Sequence, residues 1–149
     1  MKRIIILLTA IVLSLCSFAQ ERQLEELIDN YKRSEGFTSA KITRSMITLA
    51  VSLDSEASLE DFKKIKNIYL ISHKESTPDF VAAVAGVLEP LKLLSAETKE
   101  DGTNVKTYLD EGGHYFAFEI SMGSVVALLV VEGKGLTAED VEWFAEEIS

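Results

Sequence analysis

Between Leu93 and Val131 the apolar positions recur with period two, which predicts a run of antiparallel strands. Val105, Thr107 and Leu109 alternate with Lys106, Tyr108 and Asp110, the pattern of a half-buried strand. Phe116, Phe118 and Ile120 share one face of the next strand, opposite Tyr115, Ala117, Glu119 and Ser121. Ser124 to Val131 is apolar on both faces, as a central strand covered on each side would be. Glu100-Asp101-Gly102, Glu111-Gly112-Gly113 and Met122-Gly123 separate these runs, and each is a turn signal because glycine tolerates positive φ.

The other segments follow period 3.6 or end at caps. Leu24, Leu27, Ile28 and Tyr31 make one apolar stripe in a charged stretch and predict an amphipathic helix over Glu21 to Ser34, closed by Gly36. Phe37 to Thr43 reads as a first strand. Ile47, Ala50 and Leu53 favour a second helix over a continued strand. Ser58 is a candidate N-cap for a short element from Leu59 to Ile65, and Ile68 to Ile71 is a buried strand by its β-branched and aromatic content. Thr77-Pro78 sets a cap and a first-turn proline before a helix with Phe80, Val81, Val84, Val87, Leu88 and Leu91 on its apolar side, ended near Leu88 by Pro90. Thr137 and Asp140 form a capping box for a closing helix whose stripe is Val141, Phe144, Ala145 and Ile148. The expected fold is α+β, a mostly antiparallel sheet with the helices packed on one face.

Charge and the single cysteine narrow the setting. Lys2 and Arg3 precede an apolar run from Ile4 to Leu15, and Ser17-Phe18-Ala19 places small residues at the −3 and −1 positions before Gln20. Residues 1–19 are therefore expected to be a signal peptide cleaved after Ala19, and 20–149 a single domain in the periplasm or cell envelope. The apolar run is shorter than the roughly 20 residues that span a bilayer. Cys16 raises a lipoprotein alternative, but Leu15 stands where a lipobox needs a small residue. Membrane contact is expected only if Cys16 is lipidated. Cleavage removes Lys2 and Arg3 and takes the formal charge from −9 to −11, which disfavours nucleic acid as a partner. The mature chain has no cysteine, which excludes disulfides, thiolate metal sites and cysteine nucleophiles.

No catalytic constellation stands out. His73-Lys74-Glu75 has the H-x-E spacing of zinc deaminases without the cysteine pair that chemistry needs. His114 reads as a turn histidine. There is no G-x-S-x-G elbow and no phosphate-binding loop; Gly133-Lys134-Gly135 lacks the spacing. Glu119 lies within a strand, on the side expected to face solvent. No cofactor, metal or catalytic residue is expected. Phe116 and Phe118 read as core, while Tyr108 and Tyr115 are the candidate binding residues, as contacts on an uncovered sheet face.

Ser17-Phe18-Ala19-Gln20, Glu35-Gly36-Phe37-Thr38-Ser39, Ile42-Thr43-Arg44-Ser45-Met46, Lys66-Asn67-Ile68-Tyr69-Leu70 and the Glu100-Asp101-Gly102 turn together resemble the exported Bacteroidetes proteins grouped as domain of unknown function 4252. The stretch near Met122-Gly123 departs from that pattern. The resemblance implies a small secreted or periplasmic α+β domain and transfers no activity to any residue. The leading expectation is a non-enzymatic module that binds an envelope protein, with a homodimer as one form if a sheet face is open. The alternative is a small-ligand carrier using a cleft between the sheet and the Thr77 to Leu88 helix. A hydrolase built on scattered carboxylates ranks third.

Overall fold

Strands form where β-branched and aromatic residues alternate, and helices start at the caps. The computed structural model describes residues 22–54, 59–75 and 77–148, so the expected signal peptide, Cys16 and the Ser58 cap lie outside the described residues. Helix α1 covers residues 22–31. Strand β1, Phe37–Thr43, runs into α2, Arg44–Leu53, and a single 3-10 turn at Leu59–Phe62 precedes β2, Ile65–His73. Then come α3 (Pro78–Leu88), β3 (Lys92–Thr98), β4 (Asn104–Leu109), β5 (Tyr115–Met122), β6 (Val125–Gly133) and α4 (Ala138–Ile148).

The caps decide local boundaries. Thr43 ends β1 and opens α2, its Oγ1 accepting from the Met46 N–H at 3.4 Å. Arg44 then donates to the carbonyls of Phe62 and Ile65, the latter at 3.0 Å, and so ties the start of α2 to the start of β2. Thr77 Oγ1 accepts from the Phe80 N–H at 3.3 Å, and Pro78 occupies the first turn of α3. The capping box of α4 closes reciprocally. Thr137 N–H donates to Asp140 Oδ2 at 2.8 Å, and Asp140 N–H donates to Thr137 Oγ1 at 3.4 Å.

The six strands of the described residues join one sheet in the order β1-β2-β6-β5-β4-β3, with every neighbour antiparallel. The fold is α+β. β3 to β6 form a continuous meander, and β6 returns to pair with β2, so the two apolar strands β2 and β6 lie next to each other in the sheet. Between them α3 must connect β2 to the far edge strand β3.

The helices do not share one face, as the sequence led us to expect. α1 and α3 cover one side, where Leu24, Leu27, Phe80, Val84 and Val87 pack on Tyr69, Ile71, Ala117, Leu128 and Val130. α2 and α4 take the other side, where Ile47, Val141 and Phe144 pack with Ile68, Phe116, Phe118 and Val131. The reason is the double apolarity of the central strands. β2, β6 and β5 carry large apolar residues on both sides, and each side must be removed from water. The second cover is partial, and that sets up the site.

One ion pair holds α4 in place. Lys64 Nζ, just before β2, donates to Asp140 Oδ2 at 3.0 Å. Burial raises the Asp140 carboxyl pKa, but the hydrogen bonds from Lys64 and Thr137 and the Lys64 charge outweigh it and hold it below its ordinary value of 3.8. A carboxyl depressed on folding contributes stability above its unfolded value and loses it as pH falls through the lower folded value. Asp140→Asn is therefore expected to lower the unfolding free energy by about 1 kcal/mol at neutral pH. The difference should vanish once pH falls below the ordinary carboxylate range. Urea titrations of both proteins across that range check it, and a difference independent of pH would refute the assignment.

Candidate functional site

The capping box and the Lys64 contact place α4 over β5 and β6 and leave β4 and β3 beside it uncovered. A groove of about 690 Å³ opens there. Val105, Phe118 and Ile120 make its floor, and the register fixes them on one sheet face, since Val105 pairs with Ile120 and Thr107 with Phe118. Ala138, Val141, Glu142, Ala145 and Glu146 supply one wall because positions three, four, seven and eight apart share a helix side. Leu94, Ser95 and Glu97 of the exposed edge strand β3 form the other wall, with Lys99 at the turn. The volume lies within the roughly 300–1,000 Å³ typical of small-ligand sites.

Thr107 is the polar feature of the floor. It is 9% exposed. Its hydroxyl has no hydrogen-bond partner among the described residues, while no fully sealed side-chain polar atom there lacks one. The hydroxyl therefore keeps its access to solvent through the groove it lines. The same sheet face continues past Ile120 into a shallower apolar depression of about 320 Å³ over Ala40, Leu70, Ala127 and Leu129. Leu70, Leu94, Met122 and Val125 are exposed on that face, and α2 exposes Met46, Leu49 and Leu53 at helical spacing.

The expected contact residues lie elsewhere. Tyr115 is 1% exposed and belongs to the core under α1 and α3, so it offers no surface for docking. Tyr108 packs against the edge of the same core. Burial pushes the Tyr108 hydroxyl above its ordinary pKa, and the Glu119 carboxylate that accepts its hydrogen bond adds to the shift. The tyrosines face the covered side because β4 and β5 alternate, and the open side belongs to their neighbours Thr107 and Phe118. Glu119 is half-buried rather than fully solvent-facing.

The cleft expected at α3 is filled. Phe80, Val84, Val87 and Leu88 are all buried against the sheet, while the small residues Ala82 and Ala85 point outward and nothing lies within 4 Å of a Cβ built on Gly86. His73 is a core residue: it is 5% exposed, its Nδ1 accepts from the Glu75 N–H at 3.0 Å, and its ring lies 5.0 Å from that of Phe80. Among the described residues, no group of three or more His, Cys, Asp or Glu could hold a metal ion. No described helix is long and apolar enough to cross a membrane.

Two residues that sequence reasoning passed over matter here. Thr107 was visible as the one polar side chain on an apolar strand face. Glu132 carried no such signal. It ends the apolar run of β6 and is 6% exposed. Its Oε2 accepts from Asn67 Nδ2 at 3.0 Å and from the Tyr69 hydroxyl at 3.4 Å, and its Oε1 lies 3.5 Å from Lys66 Nζ. Register puts it opposite Tyr115 on β5 and Asn67 on β2. The carboxylate thus ties β6 to β2 at one end of the sheet.

The fold and the groove define an α+β protein with one closed and one half-open sheet face. Compared with protein-family models, curated proteins and solved structures, the chain has no match in any of the three.

Proposed function

We propose that the chain is an exported, non-enzymatic binding protein of the periplasm or cell envelope, and that it carries a small apolar guest in the groove beside α4. The resemblance to the domain of unknown function 4252 proteins is part of the same proposal. The observation that carries it is the half-open sheet face: the half-buried Val105 and Ile120, beside the buried Phe118, floor a groove of ligand size with a buried hydroxyl in it. Apolar surface left open in this way favours a guest that removes it from water. The neutral fluorophore N-phenylnaphthylamine is expected to bind saturably with increased emission. Ala145→Trp, which fills the groove from the helix side, should abolish that rise while leaving the circular dichroism spectrum unchanged. No emission change with the wild-type protein would remove the carrier reading.

A second reading keeps a protein partner, and α2 favours it. Met46, Leu49 and Leu53 are 51%, 62% and 81% exposed along one stripe, which is the form of a helix surface met by another chain. A photocrosslinker at Leu53 is expected to yield one discrete adduct in cells, lost on Leu49→Glu. Since Leu49 is exposed, that change should leave stability within about 0.5 kcal/mol. An adduct at the mass of two copies would identify a homodimer, and no adduct would end this reading.

A further inference from the structure

The rim of the groove has a sign. Glu97 stands on β3, and Glu142 and Glu146 stand on the facing side of α4, against the single cation Lys99. Three carboxylates and one ammonium surround an apolar floor, so the potential at the mouth favours a cation. The floor adds an independent requirement. Thr107 lines the groove together with Phe118, Val105 and Val141, its hydroxyl has no partner among the described residues, and a purely hydrocarbon guest would seal it unpaired. Covering a hydroxyl without a partner disfavours binding. A guest that suits both features has a polar acceptor set between an apolar body and a charged end.

Resting on the carrier reading above, we propose that the groove selects a cationic acyl amphiphile. Its alkyl chain lies along the half-buried Val105 and Ile120, an amide or ester carbonyl accepts from the Thr107 hydroxyl, and an ammonium or guanidinium group meets Glu97 and Glu142 at the mouth. The hydrophobic contact supplies affinity. The hydroxyl sets how deep the chain enters, and the rim sets the charge of the head group. Lys99 disfavours an anionic head only weakly, because it is one exposed charge among three of opposite sign; the selection comes from the carboxylates.

The test holds chain and amide constant and changes the charge. N-dodecanoyl-arginine ethyl ester and N-dodecanoylglycine are titrated calorimetrically into the purified protein, below their micelle concentrations. The cationic probe is expected to bind about tenfold tighter at low salt, with the gap closing as salt rises. Glu97→Gln with Glu142→Gln should remove most of that gap. Thr107→Val keeps the strand-favouring shape and should weaken the cationic probe about fivefold, the worth of one hydrogen bond, while Thr107→Ser restores it. Equal affinity for the two probes would overturn the charge selection and leave the carrier reading in place. Loss of both, and of the fluorophore, would overturn both. An unchanged affinity in Thr107→Val would overturn the role of the hydroxyl.

Discussion

Gly133→Ala is expected to destabilise the protein by about 3 kcal/mol, at the upper end of what overpacking costs. Gly133 ends β6, where the chain runs close to the residues entering β2. A Cβ built there would stand 2.1 Å from the Lys64 carbonyl oxygen and 3.1 Å from its carbonyl carbon. The obstacle is main chain, which cannot swing away as a side chain tip can. That carbonyl is also engaged, accepting from the Lys134 N–H at 3.0 Å, and the Gly133 N–H donates to the His114 carbonyl at 2.9 Å. Relief would therefore require breaking the end of the β2–β6 ladder and loosening Lys64, whose ammonium holds Asp140 and with it α4. A lower urea midpoint with an unchanged m-value, together with weaker fluorophore binding, is the expected signature. A loss under about 1 kcal/mol would show that the strand end relaxes more cheaply than its packing implies.

Removing the buried carboxylate of Glu132 is the next largest effect. Glu132→Ala withdraws the acceptor that serves Asn67 and Tyr69, both buried, and leaves a space between β2 and β5. Leaving buried donors without their acceptor costs about 1–3 kcal/mol per group, so a loss of about 3 kcal/mol is expected. Lys66 adds little because its side chain is 70% exposed. Glu132→Gln keeps one carbonyl acceptor for Asn67 and should recover most of the loss. If thermal unfolding places the alanine variant within about 0.5 kcal/mol of wild type, the tie between the strands contributes nothing. The carboxylate lies on the closed face under α1 and α3, whereas the groove lies on the other, so ligand binding should survive wherever the fold does.

The legible parts of this protein were those written in neighbouring residues. Thr77-Pro78 and the Thr137–Asp140 box placed the starts of α3 and α4 because a cap is a contact between residues three apart. Period two placed β4 and β5 and sorted Phe116 and Phe118 from Tyr115 and Ala117 correctly. What alternation cannot say is which of the two sides a helix will cover. Tyr108 and Tyr115 were assigned to an open face for that reason, and the structure puts that face under α1 and α3. Ser124 to Val131 already held the answer. A strand apolar on both sides needs covers on both, which argues against helices on one face alone.

Local sequence set the α+β class, the caps of α3 and α4 and the partition of β4 and β5 into two faces, because these depend on residues within one or two turns or pleats of each other. Tertiary structure decided the rest. The insertion of β2 between β1 and β6, the burial of Glu132 against Asn67, and the approach of Gly133 to Lys64 join positions more than twenty residues apart. The groove is of the same kind. It exists because α4, held through Asp140 by Lys64, stops short of covering β3 and β4, and no local pattern records where a helix on a sheet will stop.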